Sequence, residues 1–117
     1  EAARGALIAR VAEFLRHYDL LICPAAPAPP FDVTQRYVEA IGDTKMDNYI
    51  EWIAITYCIT LTACPALSLP CAFTSDGLPV GMQLIAANGE EARLLSHASA
   101  IEELFAVATG LPIDPCN

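Results

Sequence analysis

The first eighteen residues place apolar side chains with the period of a helix. Leu7, Ile8, Val11, Phe14, Leu15 and Tyr18 share one side, while Arg4, Arg10, Glu13 and His17 turn elsewhere. This predicts an amphipathic helix over about 3–18, ended by Asp19. Leu20 to Cys23 form a short continuous apolar run stopped by Pro24, the pattern of a strand over about 20–24 that is buried on both faces and central in its sheet. A second helix is expected over about 46–62. There Tyr49, Trp52, Ile53, Ile55, Ile59 and Thr62 leave little polar surface, and Asp47 and Glu51 sit near the positive end. Residues 66–73 alternate strictly, with Leu67, Leu69, Cys71 and Phe73 on one face of a strand. Asp76-Gly77 marks a turn over 74–79, and a further strand over about 80–87 completes a hairpin with core on both faces. The last helix, about 90–106, is expected to be capped by Asn88, with Glu90 and Glu91 in its first turn. Its apolar face would be Leu94, Leu95, Ala98, Ile101, Leu104 and Phe105, with Gly110 and Pro112 beyond its end.

Three interruptions of this pattern carry information. Pro24, Pro27, Pro29 and Pro30 exclude regular structure after the first strand, so about 24–45 reads as a proline-rich loop. A loop of that length either lines a site or serves as a linker. Pro70 lacks a ladder donor, so its edge of the strand should face a gap, a bulge or the sheet rim. Gly81 inside the next strand marks a bulge or a close approach by another backbone.

Composition changes the picture of a free-standing domain. Of the 117 residues, 55% are hydrophobic and only 17% charged, against about 25% charged in a typical soluble domain. That leaves little polar surface to close a small globule. Together with a first residue, Glu1, that is not methionine, it leads us to read residues 1–117 as a single segment of something longer. The net charge of -8 without a basic cluster argues against a nucleic-acid partner. From Trp52 to Phe73 no side chain is charged, a stretch long enough to cross a bilayer. Pro65 and Pro70, with Thr56, Thr60, Thr62 and Ser68, argue instead for a buried helix followed by a buried strand, and no membrane partner is expected. Arg4, Arg10, Glu13 and Arg16 interrupt any signal pattern. Cys23, Cys58, Cys64, Cys71 and Cys116 are odd in number and form no C-x-x-C pair, which reads as reduced thiols in a cytoplasmic protein.

A search for chemistry assigns no catalytic residue. None of the serines Ser68, Ser75, Ser96 and Ser99 lies in a G-x-S-x-G turn. His17 and His97 fall on helices among surface residues, no H-x-x-x-H pair can hold a metal, and no phosphate-binding loop is present. Lys45, the only lysine, lies between Asp43 and Asp47 and reads as an exposed ion-pair partner in a loop. Neither a cofactor nor a metal is called for.

The order of three runs is more specific than any one of them: YDLLICPAAPAP, TYCITLTACPALSLPCAF and DGLPVGMQLIAANGEEARLLSHASAIEEL. With a small residue before Pro65, a strand through Pro70, and Gly77-Leu78-Pro79-Val80-Gly81-x-Gln83, they closely resemble the C-terminal end of the amidase signature family over nearly the whole chain. The resemblance implies an α/β fold in a protein of several hundred residues, with a mixed sheet wrapped by helices. It implies hydrolysis of carboxylic amides, through an acyl-enzyme, by a Ser, cis-Ser, Lys triad. The triad would lie upstream, so this segment alone is expected to be inactive. It would complete the sheet and wall the pocket, its partners being the rest of the amidase chain and a small-molecule amide. Trp52, Thr56 and Tyr57, with the proline-rich loop, would approach the acyl side of the substrate, the alternative being that Trp52 is core. Pro65, Pro70, Gly77, Pro79, Gly81 and Gln83 would be structural. Ala63 and Ala72 stand where relatives often have glycine. Ile53 stands near a position that is acidic in members feeding glutamine-derived ammonia to tRNA-linked substrates, which points away from those members, although Glu51 is close by. A different class remains open, a small non-catalytic binding or subunit-interaction module. Uncovered strand edges would make the isolated chain a homodimer or an aggregate.

Overall fold

The computed structural model describes residues 1–107, so Gly110, Pro112 and Cys116 lie outside the described residues. The elements in chain order are α1 (Ala2–Phe14), β1 (Leu21–Pro24), β2 (Ala40–Ile41), β3 (Thr44–Lys45), α2 (Tyr49–Trp52), α3 (Ala54–Thr60), β4 (Ala66–Phe73), β5 (Pro79–Ile85) and α4 (Glu91–Phe105). The fold is α/β, with α4 packed against a three-stranded sheet of order β1-β5-β4. Every pairing in that sheet is antiparallel.

The centre of the sheet is β5, not the first strand. Leu84, Ile85 and the following Ala86 have relative exposures of 0%, 0% and 1%, so this end of the hairpin is buried on both faces as expected. Strand β1 is only four residues long, and Ile22 in it is 53% exposed. The same apolar run suits an edge as well as a centre, and Pro24 cuts it too short to collect neighbours on both sides.

Side chains alternate across the sheet and sort its two faces. Leu67 and Leu69 of β4 stand opposite Leu84 and Met82 of β5 on one face. Leu94 and Ala98 of α4 close over Leu69, Leu84 and Ala86 to form the main core, with Ile101 packed beside it. Leu95, Leu104 and Phe105 remain exposed, so the buried stripe of α4 is narrower than its apolar pattern suggests. Nor does Asn88 cap this helix. Gly89 turns the chain with φ +84°, and Glu90 occupies the cap position without a side-chain hydrogen bond.

The hairpin turn falls where Asp76-Gly77 signals it. Gly77 adopts φ +80°, and the Thr74 hydroxyl accepts from the Leu78 amide at 3.0 Å. Pro70 sits at a register shift between Pro70 and Ala72, which breaks the strict alternation at Cys71 and leaves Phe73 exposed. Opposite Pro70, Gly81 turns its carbonyl toward β1 and accepts the Ala25 amide at 3.0 Å. Pro70 therefore faces a pair where β4 and β5 exchange no hydrogen bond, and its missing N–H lies at the outer rim. Both outcomes expected for Pro70, the bulge and the rim, occur together.

Helix α1 ends at Phe14, four residues early. The Arg16 and His17 amides donate to carbonyls three residues back, tightening the chain into a turn, and both side chains pair with Glu13. Leu15 is buried while Phe14 and Tyr18 stack in solvent with ring centroids 4.5 Å apart. The expected helix over 46–62 is broken at Ile53 into α2 and α3. The expected loop over 24–45 contains a small ladder, β2 against β3, made possible by Gly42 at φ +56°. This ladder takes Lys45, which forms no ion pair among the described residues. No helix among them is long and apolar enough to cross a membrane.

The radius of gyration is 16.3 Å, above the roughly 13 Å of a compact domain of about this length. Two substitutions test the backbone reading. A Cβ at Gly81 would meet the Ala25 Cβ and the Ser68 Oγ at 3.3 Å each, so Gly81→Ala should cost about 1–3 kcal/mol. Ala63 occupies φ +60°, a left-handed conformation that explains why glycine suits this position, and Ala63→Gly should stabilise by up to about 1 kcal/mol. Urea midpoints of the two variants should move in opposite directions.

Candidate functional site

Two clefts adjoin at Ala25, on the side of the sheet away from α4. The first encloses about 410 Å³ and is walled by the run from Pro24 to Phe31, by Trp52 and by Pro79 to Gly81. Its lining carries no charged side chain. The second, about 250 Å³, is lined by Ala25, Thr56, Ala66, Leu67, Ser68 and Gln83.

The proline-rich run is one wall of the first cleft because its conformation is limited. Each proline fixes φ and withholds an N–H, so the run leaves the ladder after Pro24 and bends over residues 25–28. Its far end is anchored at Asp32, whose carboxylate accepts from the Thr34 hydroxyl at 2.6 Å and the Thr34 amide at 2.8 Å. The hydroxyl, followed by the amide, holds the Asp32 carboxyl below the usual carboxylate range. The opposite wall follows from Asn48. Its Oδ1 accepts from the Ile50 and Glu51 amides at 3.0 and 3.1 Å, and Glu51 accepts from the Asp47 amide at 2.8 Å. This reciprocal cap starts α2 at Tyr49 rather than near Met46.

That start orients Trp52. Phe31 meets its ring edge-on, with centroids 5.3 Å apart at 85°, and Tyr49 lies 5.4 Å away at 60°. Trp52 is half-buried, and its indole N–H is buried with no hydrogen-bond partner among the described residues. The break at Ile53 then separates the three residues that one continuous helix would have aligned. The Ile53 carbonyl accepts both the Thr56 amide at 3.0 Å and the Thr56 hydroxyl at 2.7 Å. Trp52 walls the first cleft, Thr56 the second, and Tyr57 is exposed and lines neither.

The motif residues fall into place around the sheet. Pro65 accepts the Ala86 amide at 3.2 Å, extending the β4–β5 ladder by one bond. Pro79 and Gly81 belong to the first cleft and Gln83 to the second. Ser68 lines the second cleft as well, and Cys23, which lines neither, flanks Gln83 from the other neighbouring strand. Sequence reading missed them as site residues, since only strand pairing sets them beside Gln83. His97 is half-buried on α4, with Nε2 unpartnered among the described residues, rather than solvated.

A family model described as Amidase matches residues 1–95. A glutamyl-tRNA(Gln) amidotransferase chain of Prosthecochloris aestuarii is 38% identical over 105 residues, covering 87% of this chain and 20% of the relative. The putative amidase AmiC of Mycobacterium leprae is 39% identical over 97 residues, covering 80% and 20%. A crystal structure of an amidase superposes with a TM-score of 0.76 at 30% identity, covering 89% of this chain and 24% of that one. A 6-aminohexanoate cyclic dimer hydrolase gives 0.75 at 25% identity, covering 94% and 24%. The chain belongs to the amidase signature family. It spans about a fifth of the length of the curated relatives it matches.

The cap on α2 gives a direct test of how the Trp52 wall is held. Asn48→Ala should cost about 0.5–2 kcal/mol. Hydrogen exchange at the Ile50 and Glu51 amides should accelerate, because both lose their acceptor.

Proposed function

We propose that this chain is the pocket-forming C-terminal portion of an amidohydrolase that converts carboxylic amides to acid and ammonia or amine. The observation that carries the reading is the apolar cleft of about 410 Å³ between the proline-rich run and Trp52, in a chain of amidase signature sequence. In this reading a Ser, cis-Ser, Lys triad supplied from upstream attacks the amide carbonyl. The amine leaves with a proton, and water releases the acid from the acyl-enzyme. The segment contributes binding and orientation. Its cleft receives the apolar acyl side of the substrate, because an uncharged, proline-walled surface favours hydrocarbon over an ionised group. Ile53 lies at the break between α2 and α3, and its aliphatic side chain favours a hydrolase over the tRNA-linked amidotransferases. The enzyme is cytoplasmic in this reading, and needs neither nucleic acid nor membrane as partner.

Two experiments test it. The purified 117-residue chain should not turn over a simple aryl amide above a heat-killed control, and turnover would overturn the placing of the triad upstream. In the full-length protein, Trp52→Ala should change the ranking of bulky against small amides in kcat/KM. A thermal midpoint lowered by a loss of about 3–5 kcal/mol with an unchanged ranking would make Trp52 core only.

A further inference from the structure

The second cleft contains a feature that the apolar pocket does not use. Cys23, Gln83 and Ser68 lie on three adjacent strands and are paired in register, so they form one row across the sheet. Neighbouring strands are about 4.8 Å apart, and the row therefore spans roughly 10 Å. Rows of small or apolar residues flank it. Ala66, Ile85 and Leu21 lie on one side, and Pro70 and Gly81 on the other. Gly81 has ordinary space only because it lacks a Cβ between Ala25 and Ser68.

The hydrogen-bond state of the row is specific. The Gln83 carboxamide donates through Nε2 to the Cys23 Sγ at 3.4 Å. Its Oε1 accepts no hydrogen bond from the described residues, and the exposed Ser68 hydroxyl makes none either. A free acceptor and a hydroxyl, which can donate and accept, therefore face a space of about 250 Å³ whose lining carries no charge. A carboxylate is acceptor-only and would find no cation among these lining residues. An ammonium would find no anion. A neutral carboxamide offers one acceptor and donors to match, and loses least on entering.

We infer that the Ser68–Gln83 pair is a specificity site for an uncharged carboxamide, discriminating the amide from the corresponding acid. The inference deepens the amidohydrolase reading and rests on it for the identity of the ligand. Ala25 lines both clefts, so an amide whose hydrocarbon part fills the first presents its polar end to the second. Selecting against the acid also favours release of the product.

The test uses benzamide and benzoate as isosteric probes, with binding to the full-length protein measured by calorimetry at neutral pH. Benzamide should bind at least about tenfold more tightly than benzoate, the scale of one or two hydrogen bonds in a partly buried site. Gln83→Leu and Ser68→Ala should each bring that ratio below about threefold and leave benzoate affinity unchanged. A ratio unchanged in both variants overturns the inference. Ser68 is exposed, so its variant keeps the test decisive if Gln83→Leu does not fold. Amide turnover is measured in parallel. Turnover with no benzamide preference removes this site and keeps the amidohydrolase reading. A preference that both variants abolish, without turnover, keeps the site and removes that reading.

Discussion

The sheet and both clefts hang on β5, which is paired along both edges. Its residues from Met82 to Ile85 are in register with β1 on one side and β4 on the other. A backbone paired on both sides has no free donors or acceptors to satisfy elsewhere, so its position is fixed by two ladders at once. The helix α4 then needs only one face of this sheet, and Leu94 and Ala98 meet Leu69, Leu84 and Ala86 there. The other face is left for the two clefts. Gly81 sits where these demands collide. It opposes Pro70, accepts from Ala25 and makes room for Ser68. A side chain at that point would push apart the elements that wall both clefts.

The clefts depend on short-range restraints more than on the core. The proline-rich run holds its wall by the stiffness of its own backbone, and the Asp32–Thr34 turn fixes the end of that wall. The Asn48 cap sets the rotation of Trp52, and the bonds that converge on the Ile53 carbonyl move Thr56 from the first cleft to the second. An apolar compartment thereby adjoins a neutral polar one. In the proposed reading these two compartments orient an amide, because hydrocarbon and carboxamide have opposite costs of transfer from water.

Much apolar surface stays uncovered. Ile22, Leu95 and Leu104 are exposed at 53%, 64% and 81%, on an edge strand and on the outer flank of α4. The fully buried apolar residues among those described are few and gather around β5 and α4. A core this small leaves the sequence with more hydrophobic residues than its own fold can bury. That agrees with a chain that spans about a fifth of its relatives' length.

Local signals in the sequence determined the elements. The extent of β4, the turn at Gly77, the rim position of Pro70 and the close approach at Gly81 all follow from residues whose backbone options are restricted, and they occur as expected. The apolar cleft was legible in part, since prolines mark an irregular wall and Trp52 lies near by in the chain. Tertiary structure decided what depends on neighbours distant in sequence. It placed β1 at an edge and β5 at the centre, because an apolar run does not state how many partners it will have. It also brought Cys23 and Ser68 beside Gln83, a row that exists only once strand register is set. The break at Ile53, by contrast, is made by local bonds that the apolar period does not show, the Asn48 cap and the Thr56 bonds to the Ile53 carbonyl, and it leaves Tyr57 lining neither cleft. Side-chain alternation along a strand is local, but the residue opposite is chosen by the partner strand.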